Sequence, residues 1–424
     1  MPPLVTQEVA APLLLAHPKH PETSPQLSSP LSVSKGASSN EMVGAGSVGS
    51  GFSRLAAPAS QLGSMSNSLV ASPSPLTNGL VAFPPAPPPV STARHPLQPL
   101  IQANPMRNPL ISLFEWAGNL GLVAPRRVAE NPQPTYEIAT AMGRALIRVG
   151  STRATIRGVD VMLGHLPQFV NGQPCVHRVD YQKTLHPLLW PIQPVWWSTN
   201  RLIVIDPGHG GKDAGSESID RRYFEERVTL DWAHRLALVL QKHGYRVALT
   251  RTNDADMSLA ERVLFAETLK ADLFVSLHFN SAYPINHKRG LETFVLTPPG
   301  LASSVVRDGE DNLRLAFPNN GFDLENLNLA WRVHKSVIAR SGAIDRGVQR
   351  ARFMGVLRGQ SRPAILIEGG YLSNPDDAKR IGDPSYRQRL AEGVAAGIAA
   401  LDPVPVLEPT IGQSGEPPVD RGAN

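Results

Sequence analysis

At 424 residues the chain has room for two or three domains, and 41 Lys and Arg against 36 Asp and Glu leave a formal charge of only +5. No run of Lys or Arg resembles a nucleic-acid-binding arm, and no stretch approaches the roughly 18 consecutive apolar residues of a membrane span. A single cysteine, Cys175, excludes an intrachain disulfide; it follows a strand-like run and reads as a small buried apolar residue rather than a nucleophile.

The first segment, residues 1–108, is rich in Pro, Ser, Ala and Gly, as in Ser72-Pro73-Ser74-Pro75 and Pro87-Pro88-Pro89. Its apolar residues keep neither a helical nor a strand period. Too little surface can be buried there to offset the entropy of ordering, so a disordered tail or tether is expected. Leu13-Leu14-Leu15-Ala16 has no Lys or Arg before it and lies among Pro2, Pro3 and Pro12, which does not make a convincing secretory signal.

Residues 109–194 read as a small β-rich accessory domain. Ala145–Val149 and Val159–Leu163 alternate as strands do, and Asn171-Gly172 between two strand-like runs predicts a hairpin. A Leu-rich, helix-like stretch follows at Leu185–Leu189. This order of strand, small-residue turn, strand, Asn-Gly hairpin and helix resembles the copper-amine-oxidase N-terminal-like domain. Despite that family's name, the segment shows no metal-ligand cluster in its sequence.

From about Arg201 to Leu401 the pattern becomes α/β: a twisted mixed sheet of about six strands with helices on both faces. The predicted strands are Leu202–Asp206, Tyr245–Leu249, Leu273–His278, Leu291–Leu296, Phe353–Leu357 and Ala364–Glu368. Val228, Trp232, Leu236, Val239 and Leu240 form an apolar stripe at helical spacing. Ser258-Leu259-Ala260-Glu261 has the form of a capping box, and Asp383-Pro384 opens a helix that places Leu390, Val394, Ile398 and Leu401 on one face. Thr297–Asn326 reads as a loop-like insertion in which Pro298, Pro299 and Pro318 exclude one long helix. Residues 402–424 return to the Pro/Gly-rich composition and are expected to be a disordered tail.

The chemistry collects at strand ends, where α/β sheets place their ligands. His209 lies in the Gly-flanked loop Gly208-His209-Gly210-Gly211. His278 ends the run from Asp272 to Leu277, and Glu368 ends Ala364-Ile365-Leu366-Ile367. Glu225 or Glu226, at a helix start, adds a carboxylate. Two imidazoles and one carboxylate suit a three-ligand zinc site with one position open, and a further carboxylate suits proton transfer beside it. Each residue also has a plainer reading: a surface turn, a hydrogen-bonded core histidine, a solvated helix start or an ion-paired glutamate. His234, His243, His287 and His334 read as structural.

Taken in order, these segments resemble the zinc-dependent N-acetylmuramoyl-L-alanine amidases of the AmiC/LytC type. The resemblance rests on Ile203–Gly215, Glu225 three before Val228, Leu249-Thr250-Arg251, Ser276-Leu277-His278, Asp345-Arg346-Gly347-Val348 and Ile367–Pro375. It covers about residues 201–401. It implies that His209, Glu225 (rather than Glu226) and His278 bind one Zn²⁺ and that Glu368 is the catalytic proton acceptor. The implied reaction is hydrolysis of the amide between N-acetylmuramic acid and L-alanine of the stem peptide. Peptidoglycan would then be the partner, with a cell-envelope location and an activator protein left open. Asn280 and Arg251 are candidates for substrate contact or for support of the ligands. Phe279 departs from the small residue common after the second His. The insertion at Thr297–Asn326 is expected to shape the cleft rather than to plug it. A non-catalytic wall-binding protein and a zinc peptidase of other bond specificity remain alternatives.

Overall fold

A computed structural model describes residues 109–190, 198, 200–307 and 311–402; the segments expected as terminal tails lie outside the described residues, apart from Asp402. The chain begins with β1 (Leu110–Ser112) and α1 (Leu113–Asn119), followed by a meander of β2 (Arg126–Ala129), β3 (Thr135–Thr140), β4 (Gly143–Arg148), β5 (Arg153–Ile156) and β6 (Val159–Met162). The hairpin at Asn171-Gly172 is present: both residues have positive φ, 47° and 75°, and join β7 (Gln168–Val170) to β8 (Gln173–His177). That φ pair is the form of turn that matches strand twist. A short helical run, α2 (residues 178–189), closes this part. Cys175 is buried.

The α/β part follows as β9 (Leu202–Pro207), α3 (Glu225–Lys242), β10 (Arg246–Leu249), α4 (Leu259–Leu269), β11 (Leu273–Asn280), β12 (Leu291–Leu296), α5 (Asp323–Ser341), β13 (Asp345–Ala351), α6 (Gly355–Arg358), β14 (Ala364–Tyr371), α7 (Pro375–Gly382) and α8 (Pro384–Ala399). The sheet order is β10-β9-β11-β14-β12-β13, parallel from β10 to β14 and mixed beyond. Central strands covered on both sides need continuous apolar runs, and every residue of β9 and β12 is buried. On one face α3, α5 and α8 cover the sheet with Val228, Trp232, Leu236, Val333, Leu390, Val394 and Ile398. On the other, α4 and α6 cover its lower half through Ala266, Val356 and Leu357. The Ser258–Glu261 capping box starts α4 as expected.

Two features depart from the sequence reading. Phe353–Leu357 is not a strand: its last residues enter α6, while Phe353 and Met354 pack against the lower core. The strand is instead β13, Asp345–Ala351, whose sequence DRGVQRA carries no apolar run. Despite this polar character, β13 is not an edge strand. It pairs in parallel with β6, Val348 opposite Val161, so the meander β6-β5-β4-β3-β2 continues the α/β sheet to eleven strands.

Residues 109–190 and 201–402 therefore share one core. Ile138, Ile147, Ile156 and Val161 belong to the same buried cluster as Ile203, Val275 and Ile367. Arg350 of β13 is fully buried and donates from Nη2 to Lys183 O and Thr184 Oγ1, both at 3.0 Å. Trp331 Nε1 donates to Ile156 O at 3.0 Å, and the Arg157 guanidinium lies 4.3 Å from the centre of a Trp331 ring.

Candidate active site

β9, β11 and β14 run in parallel and end on one side of the sheet, which brings distant segments together. His278 and Glu368 are register partners on β11 and β14, and Glu292 of β12 is the register partner of Glu368. All three side chains project to the face whose lower half is covered by α4 and α6.

Past β9 the chain turns sharply, and His209 takes a left-handed backbone, φ 62°, which is uncommon for a residue with a β-carbon. Two buried guanidinium groups hold the turn. Arg262 donates to Asp206 Oδ1 (2.7 Å), Pro207 O (2.9 Å) and His209 O (2.8 Å). Arg251 donates to Pro207 O (3.0 Å), Gly208 O (2.7 Å) and Glu226 O (2.8 Å). Arg251 therefore braces the loop backbone, and only Arg262 of the two pairs with a carboxylate in this turn. Burial alone would raise the Asp206 carboxyl, but Arg262, Thr250 and Ser276 hold it below the usual carboxylate range.

Three ligand-type side chains meet here. Glu225 Oε1 lies 3.1 Å from His209 Nε2 and 3.0 Å from His278 Nδ1. The same oxygen accepts from Phe279 N (3.0 Å), while Oε2 accepts from Ser216 N (3.0 Å). Although burial opposes ionisation, contact with the two histidines holds Glu225 below the usual carboxylate range. Burial also pulls the His209 imidazole down, but Asp213 and Glu225 outweigh it and push it up to about 10. Glu226, the alternative at sequence level, turns toward Arg227 at 3.8 Å instead. Burial, then the charge of Asp254, raises its carboxyl.

Close packing shapes the cluster. A β-carbon on Gly208 would fall 2.2 Å from His278 Cε1, and one on Gly215 would fall 2.7 Å from His209 Cδ2 and 2.8 Å from Glu225 Cβ. Only glycine leaves room for the rings. Their centroids are 4.9 Å apart and their planes lie at 78°.

Glu368 stands beside this cluster. Its Oε2 is enclosed and has no hydrogen-bond partner among the described residues. Burial pushes its carboxyl well above the usual range, and the charges of Glu225 and Glu292 add to the effect. A carboxyl so placed holds a proton more readily than a solvent-exposed one, which suits proton transfer.

Sequence reasoning missed two supporting groups. Asp213 Oδ2 lies 2.8 Å from His209 Nδ1 and fixes that ring, as carboxylates do for metal-bound histidines; its four-residue spacing within the loop was the available signal. Glu292, only 4% exposed, is held by Asn280 Nδ2 (2.8 Å), Tyr371 OH (3.0 Å) and Arg346 Nε (2.8 Å). Asn280 thus supports Glu292. Of the other histidines, His334 bonds Thr293 (3.0 Å) and Asp345 (2.9 Å), a structural role as expected.

Contrary to the sequence reading, the accessory part does contain a His165, His177 and Asp180 group, assembled from the loop at His165 and the junction of β8 with α2. Buried Asp180 already accepts from Gly164 N (2.6 Å), His165 N (2.9 Å) and His165 Nδ1 (2.9 Å), and the two rings stack at 3.7 Å. These contacts pin a loop.

The donor set of His209, Glu225 and His278, with ligand atoms within 4.8 Å of one another, suits a single metal ion. Fold and site together define a hydrolytic α/β domain with a candidate metal centre at its parallel-strand ends. Residues 203–400 match the N-acetylmuramoyl-L-alanine amidase family. It is 35% identical over 205 residues to an uncharacterized cell wall amidase of Bacillus anthracis, covering 47% of this chain and 35% of that protein. It is 29% identical over 220 residues to the N-acetylmuramoyl-L-alanine amidase AmiA of Escherichia coli, covering 47% and 75% respectively. The chain thus spans about a third of one curated relative and three quarters of the other. The solved amidase AmiC2 of Nostoc punctiforme is 32% identical, with 48% of this chain and 98% of that one covered and a TM-score of 0.40. Among the described residues no helix is long and apolar enough to cross a membrane.

Proposed function

We propose that the protein is a zinc-dependent N-acetylmuramoyl-L-alanine amidase acting on peptidoglycan in the cell envelope. The observation that carries this reading is the placement of Glu225 Oε1 between His209 Nε2 and His278 Nδ1, beside a carboxylate, Glu368, that has one unpartnered oxygen. His209, Glu225 and His278 would hold the ion. When bound, Zn²⁺ supplies Lewis-acid polarisation of the scissile carbonyl and acidifies water. Glu368 accepts the proton of the attacking water and delivers it to the leaving amine of L-alanine; its raised proton affinity suits both transfers. Asp213 keeps the His209 ring oriented. Glu292, held by its three donors, fixes the floor beside Glu368.

The test is a pair of variants. Glu368→Ala is expected to retain zinc and lose stem-peptide release from peptidoglycan; near wild-type release would refute the assigned role. His209→Ala is expected to lose zinc, and full metal content by elemental analysis would refute the ligand assignment.

A further inference from the structure

The loop joining β11 to β12 leaves the strand end that carries His278, and its tip is apolar. Tyr283, Pro284 and Ile285 follow one another and are all exposed, Tyr283 to 82%. Three consecutive exposed apolar residues are a liability on a protein surface unless they bind something. The tip is also braced. Ala282 N donates to Ser373 Oγ (2.9 Å), Asn374 Nδ2 donates to Asn286 O (2.6 Å), and Arg289 pairs with Asp376 (2.9 Å), so the loop is fastened along the segment that follows β14. Within it, Ile285 N closes a turn on Ala282 O at 2.6 Å. A tyrosine on such a tip offers a large contact area at little entropic cost, because few torsions remain to be fixed on binding.

A second segment adds to this patch. Ile219, also exposed, lies in the stretch between His209 and Glu225, and its N donates to Leu372 O at 2.9 Å. Leu372 N in turn donates to Asn280 O, the end of β11, at 2.8 Å. Ile219 and the tip are therefore both fastened to the run Leu372–Asn374, just past the strand ends where His278 and Glu368 are register partners. Five residues separate Tyr283 from His278, a span of at most about 18 Å.

The patch presents one flat aromatic face with aliphatic side chains near it. A sugar ring has a flat face edged with C–H groups, and the electron-rich face of an aromatic ring attracts such groups. A substrate whose scissile amide lies at the His209, Glu225 and His278 cluster brings its muramic acid there too, and the glycan strand continues from that sugar across the same end of the sheet. We propose that Tyr283 is a specificity-determining residue that stacks on a sugar of the glycan strand next to the muramic acid whose amide is cut. This rests on the amidase reading above.

The test uses the full chain and two soluble substrates with the same stem peptide: a muramyl peptide with a single sugar, and one with a further sugar on each side. Wild type is expected to show a KM about five- to tenfold lower for the longer substrate, as one aromatic stack gives. Tyr283→Ala should bring the two KM values to within about twofold of each other. Tyr283→Phe, which keeps the ring face and loses the hydroxyl, should preserve the difference. The proposal is overturned if wild type shows equal KM for the two substrates, if the difference survives Tyr283→Ala, if Tyr283→Phe abolishes it, or if Tyr283→Ala lowers kcat for both substrates alike. If wild type cleaves neither substrate, the amidase reading itself fails and the proposal falls with it.

Discussion

Replacing Gly208 with alanine tests how tightly the backbone is fitted to the site. The added carbon would lie 2.2, 2.5 and 2.6 Å from Cε1, Nε2 and Nδ1 of His278, where unstrained contacts are about 3.5–4.0 Å. The turn cannot yield easily. Gly208 N is bonded to Leu277 O at 3.0 Å, and Gly208 O is held by Arg251 at 2.7 Å. The ring must therefore move by roughly 1 Å or more, which breaks the 3.0 Å approach of His278 to Glu225. A displacement of about 1 Å at a reacting centre costs on the order of 100-fold in rate. Gly208→Ala should thus lower turnover of a soluble muramyl peptide by about that factor and reduce metal content after dialysis. Its stability loss should be only about 1–3 kcal/mol, that of a local overpacking. Gly118→Ala, in helix α1 with nothing within 4 Å of the new carbon, is the control. It should keep full activity and gain up to about 1 kcal/mol of stability. Near wild-type turnover with full metal content in Gly208→Ala would refute the reasoning.

Asp213→Ala removes the group that orients His209 and should weaken metal binding about 10- to 100-fold in chelator competition; unchanged affinity would remove Asp213 from the site. Asp206 is held ionised by Arg262 in the folded state, so its stabilising contribution is present above the unfolded carboxylate value of about 3.9 and is lost as pH falls through its lower folded value. Urea denaturation of Asp206→Asn should show a deficit of about 3–5 kcal/mol at pH 6, from leaving Arg262 unpaired, that narrows below about pH 4. A deficit constant from pH 6 to pH 3 would contradict this. Because the accessory meander and the catalytic sheet share one core, residues 109–402 should unfold in a single calorimetric transition. Two separated transitions would show independent domains.

Much of this architecture was legible because apolar runs and cap residues record burial directly. β9, β11, β12 and β14 stand out as mainly apolar runs, broken in β11 by Ser276 and in β12 by Glu292 and Thr293, and the Ser258 capping box and the Asn171-Gly172 turn state their own geometry. β13 hid because one of its inward positions is Arg350, whose Nη2 donates to Lys183 O and Thr184 Oγ1. A buried arginine reads as solvent-facing in any hydrophobic pattern, and the neighbouring apolar run Phe353–Leu357 has the strand-like composition instead. The eleven-stranded continuation was equally hidden, since strand pairing through Val161 and Val348 leaves no mark within either strand. The candidates His209, His278 and Glu368 stand out at strand ends, Glu225 is separated from Glu226 in the sequence only by the family resemblance, and His209, Glu225 and His278 come together in the structure. Glu292 carries no local signature because it serves side chains distant in sequence, whereas Asp213 shows only its four-residue spacing from His209.

The central claim concerns one bond. Purified peptidoglycan treated with the protein, with and without chelator, should yield by mass spectrometry free stem peptides with an L-alanine amino terminus and glycan retaining intact lactyl groups. That release should stop when the metal is removed. Cleavage at a glycosidic bond or within the peptide, or release that persists undiminished without metal, would contradict the account.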